Sequence, residues 1–137
     1  MQIRSLGYRT DLIFPRFSGQ IADAGDCLVI RTPSNPGYYW GNFLLFSDPP
    51  GEDSLAVWKR RFQEEIASRQ PAAHLTFGWD SPRGERGQVE PFLAAGFILN
   101  ENVVLTAERV SPPPHPNREV SIRALETDAE WEQALEN

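Results

Sequence analysis

Cysteine is nearly absent from this 137-residue chain, where Cys27 stands alone. A single thiol can form neither an intramolecular disulfide nor a cysteine-based zinc site, and a reducing compartment is the simplest setting for it. Within its apolar surroundings it reads as a small buried hydrophobe. Histidine is almost as scarce, at His74 and His115, and no histidine pair or carboxylate cluster has ligand spacing, so no metal is expected. No apolar run approaches the ~20 residues that span a bilayer. The opening MQIRSLGYRTDLIF lacks the cationic start and apolar stretch of a signal peptide, and the expectation is a cytoplasmic protein. Basic residues are outnumbered, 13 to 19, leaving a net charge of -6. That field repels a phosphate backbone and an acidic lipid surface, which argues against nucleic acid or a membrane as partner.

What is present suits a folded domain. An apolar share of 40% in a chain of this length supports one substantial core. The one clear boundary is SPPPHPN, residues 111–117, where four prolines remove backbone donors and favour an extended linker. The expected organisation is a domain over residues 1–110, a proline-rich linker over 111–118, and a strand followed by a helix start over 119–137.

Within the first domain, DCLVIRTP and YYWGNFLLFS are strand-like runs separated by the turn signal PSNPG, an antiparallel hairpin with a long loop. In GEDSLAVWKRRFQEEIAS, Leu55, Trp58, Phe62 and Ile66 recur at spacings of three and four, which predicts an amphipathic helix capped by Asp53 or Ser54. AHLTFGWD alternates Leu75, Phe77 and Trp79 with polar or small residues and reads as a strand, and a strand after a helix implies a crossover. QVEPFLAAGF reads as a short helix, with Pro91 in its first turn and Gly96 placed for the left-handed position past its end. ILNENVVLTAERV would supply a last strand pair or a long bent strand. Helices on a sheet, in an α/β or α+β arrangement, follow from this order.

The stretches FLLFSDPPGEDSLAVWKRRFQEEI, HLTFGWD and PFLAAGFILNENVVLTAE resemble, in that order, the central strand with its following helix, the next strand, and the terminal helix and strand of the GNAT superfamily of acetyl-CoA-dependent N-acetyltransferases. The resemblance implies a mixed, largely antiparallel sheet flanked by helices. VSIRALETDAEWEQAL resembles the first strand and first helix of another such domain, so a pattern that ends a GNAT domain precedes one that begins a GNAT domain. Two domains in tandem are implied, with the chain stopping early in the second. The strand EVSIRAL would then pair with a sheet edge of the first domain or of a second copy, and Thr127 with Glu130 would form the capping box of the helix carrying Trp131 and Leu135.

GNAT proteins hold the acetyl-CoA pyrophosphate on the amides of a Q/RxxGxG/A turn at a helix N-terminus, where the helix dipole favours an anion. Laid on DPPGEDS, Gly51 matches the first glycine, whereas Asp48 stands at the Gln/Arg position and Asp53 at the second small residue. Pro49 and Pro50 lack amide donors, and Asp48, Glu52 and Asp53 bring like charge to a pyrophosphate. The family's general-acid tyrosine falls on Phe92, which has no hydroxyl, and no tyrosine follows Tyr39. The resemblance therefore implies acetyl-CoA for the complete family protein and no cofactor on this segment. Its expected role is that of a non-catalytic domain supporting a downstream N-acetyltransferase domain of the same chain, with a homodimer as another possible partner. An active acetyltransferase with an atypical cofactor loop and a stand-alone interaction module are the alternatives; the acetyl acceptor is open.

Ser54, His74 and Asp80 form the only imaginable hydrolase triad, and no G-x-S-x-G turn accompanies it. GERG reads as a mobile turn. The densest unusual feature is aromatic: Tyr38, Tyr39 and Trp40, with Trp58 and Trp79. Aromatics at strand positions are mostly core, and the other reading is a cleft lined by Tyr38, Tyr39, Trp40 and Trp79.

Overall fold

The computed structural model describes residues 1–136. The chain divides into two units, Met1–Val104 and the residues from Leu105 onward.

The first unit is an α+β fold built on a four-stranded sheet in the order β1-β2-β3-β4. Its strands are β1 (Gln20–Asp23), β2 (Cys27–Arg31), β3 (Phe43–Phe46) and β4 (Phe77–Trp79). The first two joints are antiparallel, with Ile21 opposite Ile30 and Val29 opposite Leu44. The third is parallel, with Phe46 opposite Trp79. A parallel neighbour needs a crossover, and α3 (Ser54–Phe62), extended by a π-helical turn over Gln63–Ala67, supplies it.

The central strands are apolar and buried over Cys27–Ile30 and Phe43–Phe46 because both of their faces are covered. On one face Cys27, Val29, Leu44 and Phe46 meet Trp58, Phe62, Ile66 and Phe92 in one core cluster. Phe46 stacks on Trp58 with ring centroids 4.0 Å apart. On the other face Leu28, Ile30, Phe43 and Leu45 pack with Leu12, which lies between α1 (Leu6–Asp11) and α2 (Ile13–Ser18). The helical stripe expected from Leu55, Trp58, Phe62 and Ile66 is thus the one that packs on the sheet. α4 (Glu90–Ala94) carries Pro91 in its first turn and is followed by Gly96 at φ 87°, the left-handed conformation that glycine adopts without a Cβ clash.

Several expectations are corrected. The run YYWGNFLLFS is strand only over Phe43–Phe46, because Tyr39–Gly41 form a 3-10 turn. β4 is three residues long, and Leu75 lies outside it, exposed. ILNENVVLTAERV forms no strand, and Ile98, Val103 and Leu105 are more than 80% exposed. Within the second unit EVSIRAL forms no strand. Alternation makes a segment eligible for a sheet, but only an edge that accepts its amides and carbonyls makes it a strand. α1, α2 and β1 have no counterpart in the sequence reading.

In the second unit the structured element is α5 (Asp128–Leu135). Its capping box forms as the sequence indicates, with Thr127 accepting from the Glu130 amide and the Glu130 carboxylate accepting from the Thr127 amide. Arg123 pairs with the same carboxylate. None of its residues is buried.

Candidate functional site

Parallel strands bring their carboxyl ends together, and in sheets of this kind the crevice beyond those ends is the usual ligand position. Here it lies beyond Phe46 and Trp79, between the turn entering α3 and the loop following β4. Asp80, fully buried, directly follows β4 and sits beneath Arg4, which lines the groove. The carboxylate accepts from the amides of Arg4 at 2.5 Å and Ser5 at 2.9 Å, while the Arg4 guanidinium donates to the carbonyls of Ser47 and Asp80. Burial alone would raise the Asp80 carboxyl; the two amides and the Arg4 charge outweigh it and hold the group below its ordinary value. That shallow groove, of about 480 Å³, is lined by Arg4, Asp48, Pro49, Pro82, Arg83 and Glu85.

The turn at the head of α3 is closed by the protein's own groups. Ser54 Oγ accepts from the Gly51 amide at 2.8 Å, and the Asp53 side chain makes no cap. Gln88 donates its amide to the Pro50 carbonyl at 2.7 Å. Gly87, at φ 65°, comes so close that a Cβ there would lie 2.4 Å from the Pro50 oxygen. The GERG loop is braced rather than loose: Ser81 Oγ accepts from the Glu85 amide, and Trp79 Nε1 donates to the Glu85 carbonyl at 2.7 Å. Asp48, Gly51 and Asp53 are therefore neighbours on an exposed acidic turn. A pyrophosphate would meet three carboxylates, two prolines and an amide already satisfied, so the residues present do not fit acetyl-CoA. Phe92 is core, with its ring 5.3 Å from Trp58 and 5.6 Å from Phe97.

The second candidate lies at the other end of β3, and it assembles part of the aromatic cleft. Tyr38, Tyr39 and Trp40 line a cavity of about 610 Å³ together with Tyr8, Asp11 and Phe43. Trp79 does not belong to it; its ring packs beside Trp58 on the α3 face, 6.3 Å away, because β4 directs it there. Asn42, fully buried, holds the aromatic run. Its Nδ2 donates to the carbonyls of Asn35 and Tyr38, and its Oδ1 accepts from the Thr32 amide and from Gln70 Nε2 at 2.6 Å. Thr32 Oγ1 adds a bond to the Gly41 carbonyl at 3.0 Å. Tyr8 lies half-buried on the same wall, its hydroxyl over Gly78, and its acidity is pushed to about 12 by burial, then by the carboxylates of Asp11 and Asp80.

Asn42, Tyr8, Asp11 and Arg4 were not singled out by the sequence reading. An asparagine next to a fully apolar strand is the one local signal that could have drawn attention to Asn42. Ser54, His74 and Asp80 do not assemble: Ser54 caps the α3 turn, His74 Nε2 lies 3.2 Å from the Asn42 carbonyl, and Asp80 binds the N-terminal segment. Among the described residues no group of three or more potential ligands could hold a metal ion, and no helix is long and apolar enough to cross a membrane. Comparison with known proteins finds no match to this chain among family models, curated proteins or solved structures.

Proposed function

We propose that Met1–Val104 is a GNAT-like domain without a cofactor site, and that it serves as the non-catalytic partner of an acetyl-CoA-dependent N-acetyltransferase domain. What supports the family reading is the order β3, α3, β4, α4, in which the stretches that resemble a GNAT domain fold as strand, helix, parallel strand and helix. The observation that carries the non-catalytic reading is the Gln88 amide on the Pro50 carbonyl, with Gly87 against the same residue, across the turn where the pyrophosphate would lie. The tandem partner rests on the resemblance of VSIRALETDAEWEQAL to the start of a second domain, and α5 with its capping box is the helix that resemblance calls for.

Titration calorimetry of the chain with acetyl-CoA tests the non-catalytic reading. No saturable heat is expected at concentrations up to about 1 mM, a standard free energy near -4 kcal/mol. A dissociation constant in the low micromolar range would overturn it in favour of an acetyltransferase with an atypical loop.

A further inference from the structure

The cavity at the amino end of β3 has a composition unlike the rest of the surface. Of the charged residues, Asp11 is the only one on its lining, and no lysine, arginine or histidine reaches it. No basic side chain among the described residues forms an ion pair with Asp11. The same cavity is lined by aromatic rings inclined to one another: Tyr38 to Tyr39 at 57°, Tyr39 to Trp40 at 43°, and Trp40 to Phe43 at 84°. Tyr38 and Tyr39 keep 49% of their surface exposed. The Asn42 network fixes the backbone beneath them, so this arrangement exists before any ligand arrives.

We propose that this cavity binds a small organic cation of the quaternary ammonium class. Each feature answers a requirement of that ligand. Its charge is diffuse and weakly hydrated, so ring faces replace water around it at little cost, and Trp and Tyr are the best rings for this. It has no N–H, so it needs no ring of hydrogen-bond acceptors. The single carboxylate of Asp11 supplies the counter-charge. Anions are repelled by that charge. The volume of about 610 Å³ fits a small molecule. A quaternary nitrogen carries no hydrogen to exchange for an acetyl group, so it is not itself an N-acetyl acceptor. The proposal therefore stands independently of the acetyltransferase reading, and failure of acetyl-CoA to bind leaves it untouched.

The test is a titration of the full chain with choline, followed by two-dimensional amide NMR and by the Trp40 indole signal. Saturable shifts confined to residues 8–18, 32–43 and 100–102 are expected, with a dissociation constant near or below about 1 mM. Trp40→Ala is expected to weaken binding about tenfold, the range of a desolvated cation–π contact, and Asp11→Asn, at an exposed position, about two- to fivefold, the range of a solvent-screened ion pair. The uncharged carbon analogue 3,3-dimethylbutan-1-ol is expected to bind at least about tenfold more weakly. Equal binding of that alcohol would overturn the cation assignment, and the absence of saturable shifts with choline would overturn the site. A trimethyl-lysine peptide that binds more than about tenfold tighter than choline would overturn the small-molecule assignment in favour of a modified protein.

Discussion

α3 and α5 are helices of nearly equal length whose local and tertiary support are reversed. α5 has a complete capping box, an acidic first turn and an arginine pair on its Glu130, yet buries nothing. α3 has no side-chain cap from Asp53 and three basic residues in its last turn, and it buries Trp58 and Phe62 against the sheet. A cap contributes about 1 kcal/mol. Burying a large apolar side chain contributes about 2 to 3 kcal/mol. Packing therefore decides where the structure is deep, and capping decides only where a helix begins.

The largest effect expected from breaking this comparison is at Phe62, which is 1% exposed. Phe62→Ala should cost about 3 to 5 kcal/mol in denaturant unfolding, through lost burial and the cavity left between α3 and β3. A cost under about 1 kcal/mol would mean that α3 is not packed as described.

Next comes Asn42→Ala, which leaves the Thr32 amide and Gln70 Nε2 without their partner, while the carbonyls of Asn35 and Tyr38 keep the amides of Tyr38 and Gly41. About 3 kcal/mol is expected, since each buried group left unsatisfied costs about 1 to 3 kcal/mol. Slowed amide exchange at Thr32 should be lost at the same time. Unchanged melting would show that water replaces the side chain.

The smallest effects belong to α5. Glu130 is held down to about 2 by Arg123, then by the amides of Glu126 and Thr127, against an ordinary value of 4.5. A lowered carboxyl supports the helix fully above its ordinary value, and that support fades as the pH falls from 4.5 through about 2. Helical chemical shifts at residues 128–135 should decline over that window. Trp131→Ala, at a side chain 55% exposed, should change global stability by less than about 0.5 kcal/mol. A larger loss would mean that Trp131 is buried in solution.

The candidate sites were legible unevenly. The acidic, proline-broken turn Asp48–Asp53 was readable because missing amides and added charges are properties of residue types. The clustering of Tyr38, Tyr39 and Trp40 on one cavity also followed their adjacency in the chain. Trp79 was misplaced because a residue of a three-residue strand takes the face its parallel neighbour assigns, and that pairing is set some thirty residues earlier in the chain. Arg4 and Asp80 are 76 positions apart, and no local pattern joins them.

By itself the sequence determined the things that depend on spacing and residue chemistry. These are the β2–β3 hairpin, the apolar stripe of α3, the stop at Gly96 and the Thr127 cap. Only the tertiary structure decided which apolar runs became strands, that Asn42 would be the buried peg beneath an aromatic cavity, and that Gly87 and Gln88 would close over Pro50. The physical reason is that backbone amides and carbonyls and buried polar groups must be paired by whatever the fold brings near. Among the described residues, hydrophobic alternation in 98–110 and 119–125 formed no strand.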